Sequence, residues 1–142
     1  MATTRNAHAG WVGDLPTGGG QVTLDSSGLG TFDITWKART EAAGGKTSPE
    51  ELIAAAHSSC FAMAFSHELS GAGHAAEYVN TSAAVTFVPG TGITGSHLTL
   101  AAKIPGISQE DFDTIANAAK AGCPVSAALA GVEITLEATL EA

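Results

Sequence analysis

The chain has 142 residues and a formal net charge of -8, with six Lys and Arg against fourteen Asp and Glu. That length fits one domain over residues 1–142, long enough to bury most of its chain, and the acidic balance argues against a nucleic-acid partner. Met1 to Gly10 holds no apolar segment, so no signal peptide is expected; with only two cysteines in the chain, this points to the reducing cytoplasm and to redox-active rather than structural thiols.

In chain order, Ala7 to Val12 reads as a short strand, Asp14 to Gly20 as a turn, and Gln21 to Leu24 as the returning strand of a hairpin. Phe32, Ile34 and Trp36 alternate with Thr31, Asp33, Thr35 and Lys37, the period-two pattern of a half-buried strand, with Arg39 at its end. A loop through Gly44 and Gly45 leads to a helix expected from Pro49 to about Ser70. Its start is written out: Ser48 as N-cap, Pro49 in the first turn, and Glu51 completing a capping box. The body of this helix carries almost no charge before Glu68, and a helix apolar on every side needs cover around its circumference. A second copy of the molecule would supply that cover. The serines and His57 within it fit a soluble interior, so no membrane span is expected.

Tyr78 to Val88 and Ile93 to Ile104 read as two long antiparallel strands joined through Pro89-Gly90-Thr91-Gly92. Ser108 caps a further helix, with Glu110 and Asp111 in its first turn and a stripe of Phe112, Ile115, Ala116 and Ala119. Cys123-Pro124 opens a short one, and Val132 to Leu140 closes the chain as a strand. The order βββ-α-ββ-α-α-β lacks the alternation of a parallel fold, so the class is α+β with antiparallel sheet.

Cys60 sits in the middle of the apolar helix, with Ile53, Ala56, Met63 and Ala64 on its face. Desolvation there raises a thiol pKa, so a reactive Cys60 requires a cation from elsewhere. The chain has two arginines, Arg5 and Arg39. Arg39 leads directly into the helix and keeps its charge when buried. Its bland alternative is a surface arginine at a strand end. Glu50 can complement the helix dipole or hold Arg39 by a bidentate pair. At ~1.5 Å per residue, Glu50 and Cys60 stand roughly 15 Å apart along one helix, a span that a site at a dimer interface would resolve. Cys123 occupies a helix N-terminus, which favours a thiolate. The residues alone leave two options: a peroxidatic and resolving pair, or two isolated buried thiols. His57 with Cys123 and His67 or His74 invites a zinc reading, but the spacing matches no common zinc pattern. His57 is expected instead to be a polar core residue bonded to a backbone carbonyl or a partner chain.

Three stretches together carry a family likeness: Ala7-His8-Ala9-Gly10-Trp11-Val12-Gly13-Asp14, the run from Ser48 to Met63, and Ala119-Lys120-Ala121-Gly122-Cys123-Pro124-Val125-Ser126. Here the chain resembles the osmotically inducible protein C (OsmC) family, the sister group of the organic hydroperoxide resistance (Ohr) proteins. The Trp11 to Asp14 segment and the placement of Arg39 favour the OsmC branch; in Ohr proteins the arginine lies in the first strand, where this chain has only Arg5. The resemblance implies central helices wrapped by antiparallel sheets in an intertwined homodimer, and a thiol-dependent peroxidase. It implies a peroxidatic Cys60, a resolving Cys123 joined to it by a disulfide in turnover, Arg39 on the Cys60 thiolate and Glu50 fixing the arginine. A hydroperoxide substrate and a dithiol reductant of the dihydrolipoyl-protein kind follow from it, with no cofactor or metal. An apolar pocket of Phe61, Phe65, Ile53 and Met63 is expected to favour organic hydroperoxides. The competing reading is a non-catalytic small-molecule binding protein on the same fold.

Overall fold

The first 34 residues build an antiparallel sheet ordered β1-β2-β3 from β1 (Ala7–Val12), β2 (Gly19–Leu24) and β3 (Thr31–Ile34). The β1–β2 turn is held by Asp14, whose carboxylate accepts from the Thr17 amide at 2.9 Å and the Thr17 hydroxyl at 2.6 Å. Gly18 closes this turn because a Cβ there would lie 2.3 Å from the Asp14 carbonyl oxygen, a distance no side chain tolerates. The structure is a computed structural model describing all residues from Met1 to Ala142. These fall into two compact units, Met1–Leu52 and Ile53–Ala142.

Within the first unit the third strand stops short of its expected end. Trp36–Thr40 forms a short helix, α1, and Arg39 therefore lies on a helix rather than at a strand terminus. The cause is Thr35, which keeps extended backbone angles while its side chain accepts from the Ala38 amide at 3.0 Å, an N-cap that redirects the chain.

Helix α2 (Pro49–Gly71) starts in the first unit and gives most of its length to the second. The Ser48 hydroxyl caps it, accepting from the Glu51 amide at 3.1 Å. The reciprocal half of a capping box is not made: the Glu51 carboxylate accepts from the Thr47 hydroxyl instead, at 2.5 Å. The far end closes in a Schellman arrangement, with His74 N donating to Leu69 O and Gly73 N to Ser70 O. Gly73 takes the left-handed φ of +80° that this cap demands.

The second unit packs one face of α2 against a sheet ordered β4-β5-β6, from β4 (Tyr78–Val88), β5 (Gly92–Lys103) and β6 (Glu133–Glu141). Strands β4 and β5 pair antiparallel as expected, but β6 runs parallel to β5, so this sheet is mixed. A parallel pairing requires a crossover of a dozen residues or more. Here α3 (Gln109–Gly122) and α4 (Pro124–Ala128) provide it.

The core joins Phe61, Phe65 and Leu69 of α2 to Leu98, Leu100 and Ala102 of β5 and to Phe112, Ile115, Ala116 and Ala119 of α3. Phe65 and Phe112 meet edge to face, with ring centroids 5.8 Å apart. The opposite face of α2 is uncovered: Ala55, Ala56 and Ser59 are exposed, and Met63 is 72% exposed. This geometry corrects the pocket expected from the sequence. Positions 61 and 65 lie one turn apart on the core side and are fully buried, whereas Met63 projects from the other side of the helix. These side chains do not line one cavity.

Candidate active site

The first unit brings Arg39 and Glu50 together. The Arg39 Nε donates to Glu50 Oε1 at 2.9 Å and the second guanidinium nitrogen to the same oxygen at 2.8 Å, with Nε also 3.2 Å from Oε2. This fork-like, charge-assisted pairing is geometry that lysine cannot copy. The carboxylate is the more buried partner, its side chain 8% exposed against 28% for the arginine. Sequence reasoning missed Trp36, which joins them. As the first residue of α1, one turn before Arg39, its ring lies under the guanidinium, 6.0 Å from centroid to Cζ. Arg5, the other arginine, bonds only to the Thr4 carbonyl and is exposed.

The second unit brings the two cysteines together. Both are reduced; Cys60 is half-buried on α2, and Cys123 is fully buried as the N-cap residue of α4. The two thiols are close enough to perturb one another, and their pKa values move in opposite directions. Burial pushes the Cys60 thiol up, and the neighbouring Cys123 pushes it further. Burial also acts upward on Cys123, but the Cys60 thiol, the amide and hydroxyl of Ser126 and the amide of Val125 outweigh it and pull Cys123 below its ordinary value. Cys123 makes no conventional capping hydrogen bond, so these groups act on its sulfur at longer range. With only the groups of its own unit around it, Cys123 is the more acidic thiol. A thiolate on Cys60 therefore needs a positive charge supplied to it.

His57 lies one turn before Cys60 and is fully buried. Its partners are neither a backbone carbonyl nor another chain: Nδ1 is 2.7 Å from the Ser96 hydroxyl and Nε2 is 2.8 Å from the Ser126 hydroxyl. Burial lowers its pKa, so the ring is neutral at physiological pH. Both ring nitrogens are engaged, which leaves no lone pair for the zinc reading of the sequence. Ser96 and Ser126 had no assigned role in the sequence. The signal for Ser96 was its position on the same strand face as Leu98, Leu100 and Ala102, a hydroxyl at the head of a core stripe.

The chain is similar to known proteins over its whole length. The model of the OsmC-like protein family matches residues 42–137. Peroxiredoxin OsmC of Escherichia coli (strain K12) is 40% identical over 144 residues, covering 99% of this chain and 99% of the relative. Among solved structures, the organic hydroperoxide resistance protein OsmC of Legionella pneumophila superposes with a TM-score of 0.73 at 26% identity, covering 99% of each chain. An OsmC-like protein of Mycoplasma pneumoniae shares the fold at 14% identity, with a TM-score of 0.71 over 100% of both chains. No helix of the chain is long and apolar enough to cross a membrane. On the family match and the full-length 40% identity, this chain belongs to the OsmC family.

Proposed function

We propose that the chain is a thiol peroxidase that reduces organic hydroperoxides to alcohols, and hydrogen peroxide more weakly, in cytoplasmic stress defence. The observation that carries this reading is the pair of free thiols, Cys60 half-buried on α2 and Cys123 at the start of α4, close enough that each perturbs the other. The 40% identity to a peroxiredoxin supports it.

In the reaction, the Cys60 thiolate attacks the terminal peroxide oxygen. An S–O bond forms, the O–O bond breaks, and the alkoxide takes a proton to leave as alcohol, while the sulfur becomes a sulfenic acid. Cys123 then attacks the Cys60 sulfur, forming the disulfide and expelling hydroxide, which departs as water with the proton that Cys123 has shed. A dithiol of the dihydrolipoyl type returns both thiols by exchange and is itself oxidised to a disulfide. Arg39 supplies the charge that Cys60 lacks, and Glu50 holds the guanidinium in one orientation.

The working form is a homodimer, each chain an OsmC-like domain over residues 1–142. The exposed α2 face at Ala55, Ala56, Ser59 and Met63 supports this, as do exposed Val12, Leu15 and Leu29. Sedimentation of the reduced protein is expected to give twice the 14.2 kDa chain mass; a monomer at micromolar concentration would refute the dimer. For the activity itself, wild-type protein is expected to turn over cumene hydroperoxide repeatedly with dihydrolipoamide. Stoichiometric binding of the hydroperoxide without consumption would instead identify a binding protein.

A further inference from the structure

The first unit has no apolar core of its own. Its buried residues are Thr47 and Glu50, both polar, and every buried apolar side chain lies in the second unit. Trp36, half-buried on α1, therefore does not owe its place to a buried apolar cluster, and its charged neighbour is the Arg39 guanidinium, with Cζ 6.0 Å from the ring centroid. Local chemistry puts the two side chains on one face. Thr35 caps α1 by accepting from the Ala38 amide at 3.0 Å, and the Thr40 hydroxyl donates to the Trp36 carbonyl at 3.0 Å. The i, i+3 spacing then makes positions 36 and 39 neighbours on the helix surface.

The salt bridge by itself leaves the guanidinium one freedom. Both short bonds, from Nε at 2.9 Å and from Nη2 at 2.8 Å, converge on the single oxygen Oε1, while Oε2 receives the longer contact from Nε at 3.2 Å. Where each nitrogen has its own carboxylate oxygen, two parallel bonds resist twisting. Bonds that meet at one oxygen fix a point, and the guanidinium can tilt about it. A ring against one face of the plane opposes that tilt, because a cation is attracted most strongly when it stands over the aromatic face. Glu50 thus sets where the guanidinium is, and Trp36 sets which way its plane faces. Helix propensity does not call for tryptophan here, since leucine is the better helix former and fills similar apolar space.

We propose that Trp36 is a positioning residue for Arg39: its ring holds the plane of the guanidinium that Glu50 anchors, and so aims the charge used in the peroxide step. The consequence for turnover rests on the peroxidase reading above; the hold of the ring on the guanidinium does not. The ring takes no part in the chemistry itself, since no bond to it forms or breaks and no proton passes through it. Removing the ring keeps the full positive charge and the bonds to Glu50. The loss therefore falls on the rate of the peroxide step at Cys60, and the later attack by Cys123, which needs no aimed cation, is spared.

The test joins NMR of the arginine side chains to the kinetics of the two thiol steps in Trp36→Leu and Trp36→Phe. Leucine keeps apolar bulk and helix propensity without a ring, whereas phenylalanine keeps an aromatic face. The chain has two arginines, so nitrogen-labelled protein gives two Nε–H signals, with exposed Arg5 as the internal reference. The Arg39 Nε–H is expected to exchange with solvent more slowly than that of Arg5 in wild type and in Trp36→Phe, and to exchange faster in Trp36→Leu. Oxidation of Cys60 by one equivalent of peroxide is expected to slow about tenfold in Trp36→Leu and to stay within about threefold of wild type in Trp36→Phe, with disulfide formation at the wild-type rate in both. Unchanged Arg39 exchange in Trp36→Leu, equal peroxide rates in the two variants, or faster exchange with an unchanged peroxide rate would overturn the proposal. Wild-type protein that consumes no peroxide would refute the peroxidase reading instead, and the exchange comparison would still decide whether the ring holds the guanidinium.

Discussion

Cys60→Ser is expected to reduce dithiol-supported hydroperoxide turnover to the background rate, while Cys123→Ser retains the first oxidation and loses the cycle. The two outcomes differ because the residues act in different steps. A serine hydroxyl at position 60 is neither ionised near neutral pH nor a comparable nucleophile, so no sulfenic acid forms. At position 123 the peroxide step proceeds, but the sulfenic acid has no resolving thiol and persists or over-oxidises to sulfinic acid. One equivalent of peroxide consumed, followed by arrest, is the predicted trace for Cys123→Ser. The lower pKa direction of Cys123 makes the reverse assignment a real competitor. If Cys60→Ser retains the single oxidation and Cys123→Ser has none, the peroxidatic role moves to Cys123.

The second large effect is expected at Arg39. Removal of one preorganised charged donor to a developing anion costs about 10²–10³ in rate, and Cys60, raised by its own surroundings, has the most to lose. Arg39→Ala also strands Glu50, which is 6% exposed, so that variant mixes a stability loss with a chemical one. Arg39→Lys separates them. It keeps a positive charge beside Glu50 but not the fork-like geometry now made through Nε and the second guanidinium nitrogen. The peroxide step is expected to slow by about 10² in Arg39→Lys with the fold intact, and the Cys60 titration midpoint to rise, since the thiolate is the form a cation favours. Arg5→Ala, which removes only an exposed contact to Thr4, is expected to change neither. Wild-type rates in Arg39→Lys together with a slowed Arg5→Ala would move the activating charge to the N-terminal segment.

The parts of the fold that were legible in the sequence are those fixed by local chemistry. Ser48 and Ser108 announced the starts of α2 and α3, and Cys123-Pro124 announced α4, because capping and proline act within a few residues. Strand direction was not legible. The alternation from Glu133 to Glu141 buries the same face whichever way β6 runs, and only its pairing with β5 decides it. Trp36 misled for a related reason: five residues are too few to show helical periodicity, so alternation that ends at Ile34 continued on paper through Trp36. Within the site, Cys60, Cys123, Arg39 and Glu50 are rare residue types in positions with a chemical rationale. The partners of His57 stand 39 and 69 residues from it, and nothing local ties a serine on β5 to one on α4.

The most direct measurement is peptide mass spectrometry of the reduced wild-type protein after one equivalent of cumene hydroperoxide under non-reducing conditions. The prediction is a single intramolecular Cys60–Cys123 cross-link, with the chain lighter by two hydrogens and fully restored by dihydrolipoamide. Two intact thiols after the peroxide has been consumed, or cysteines joined only between chains, would contradict it.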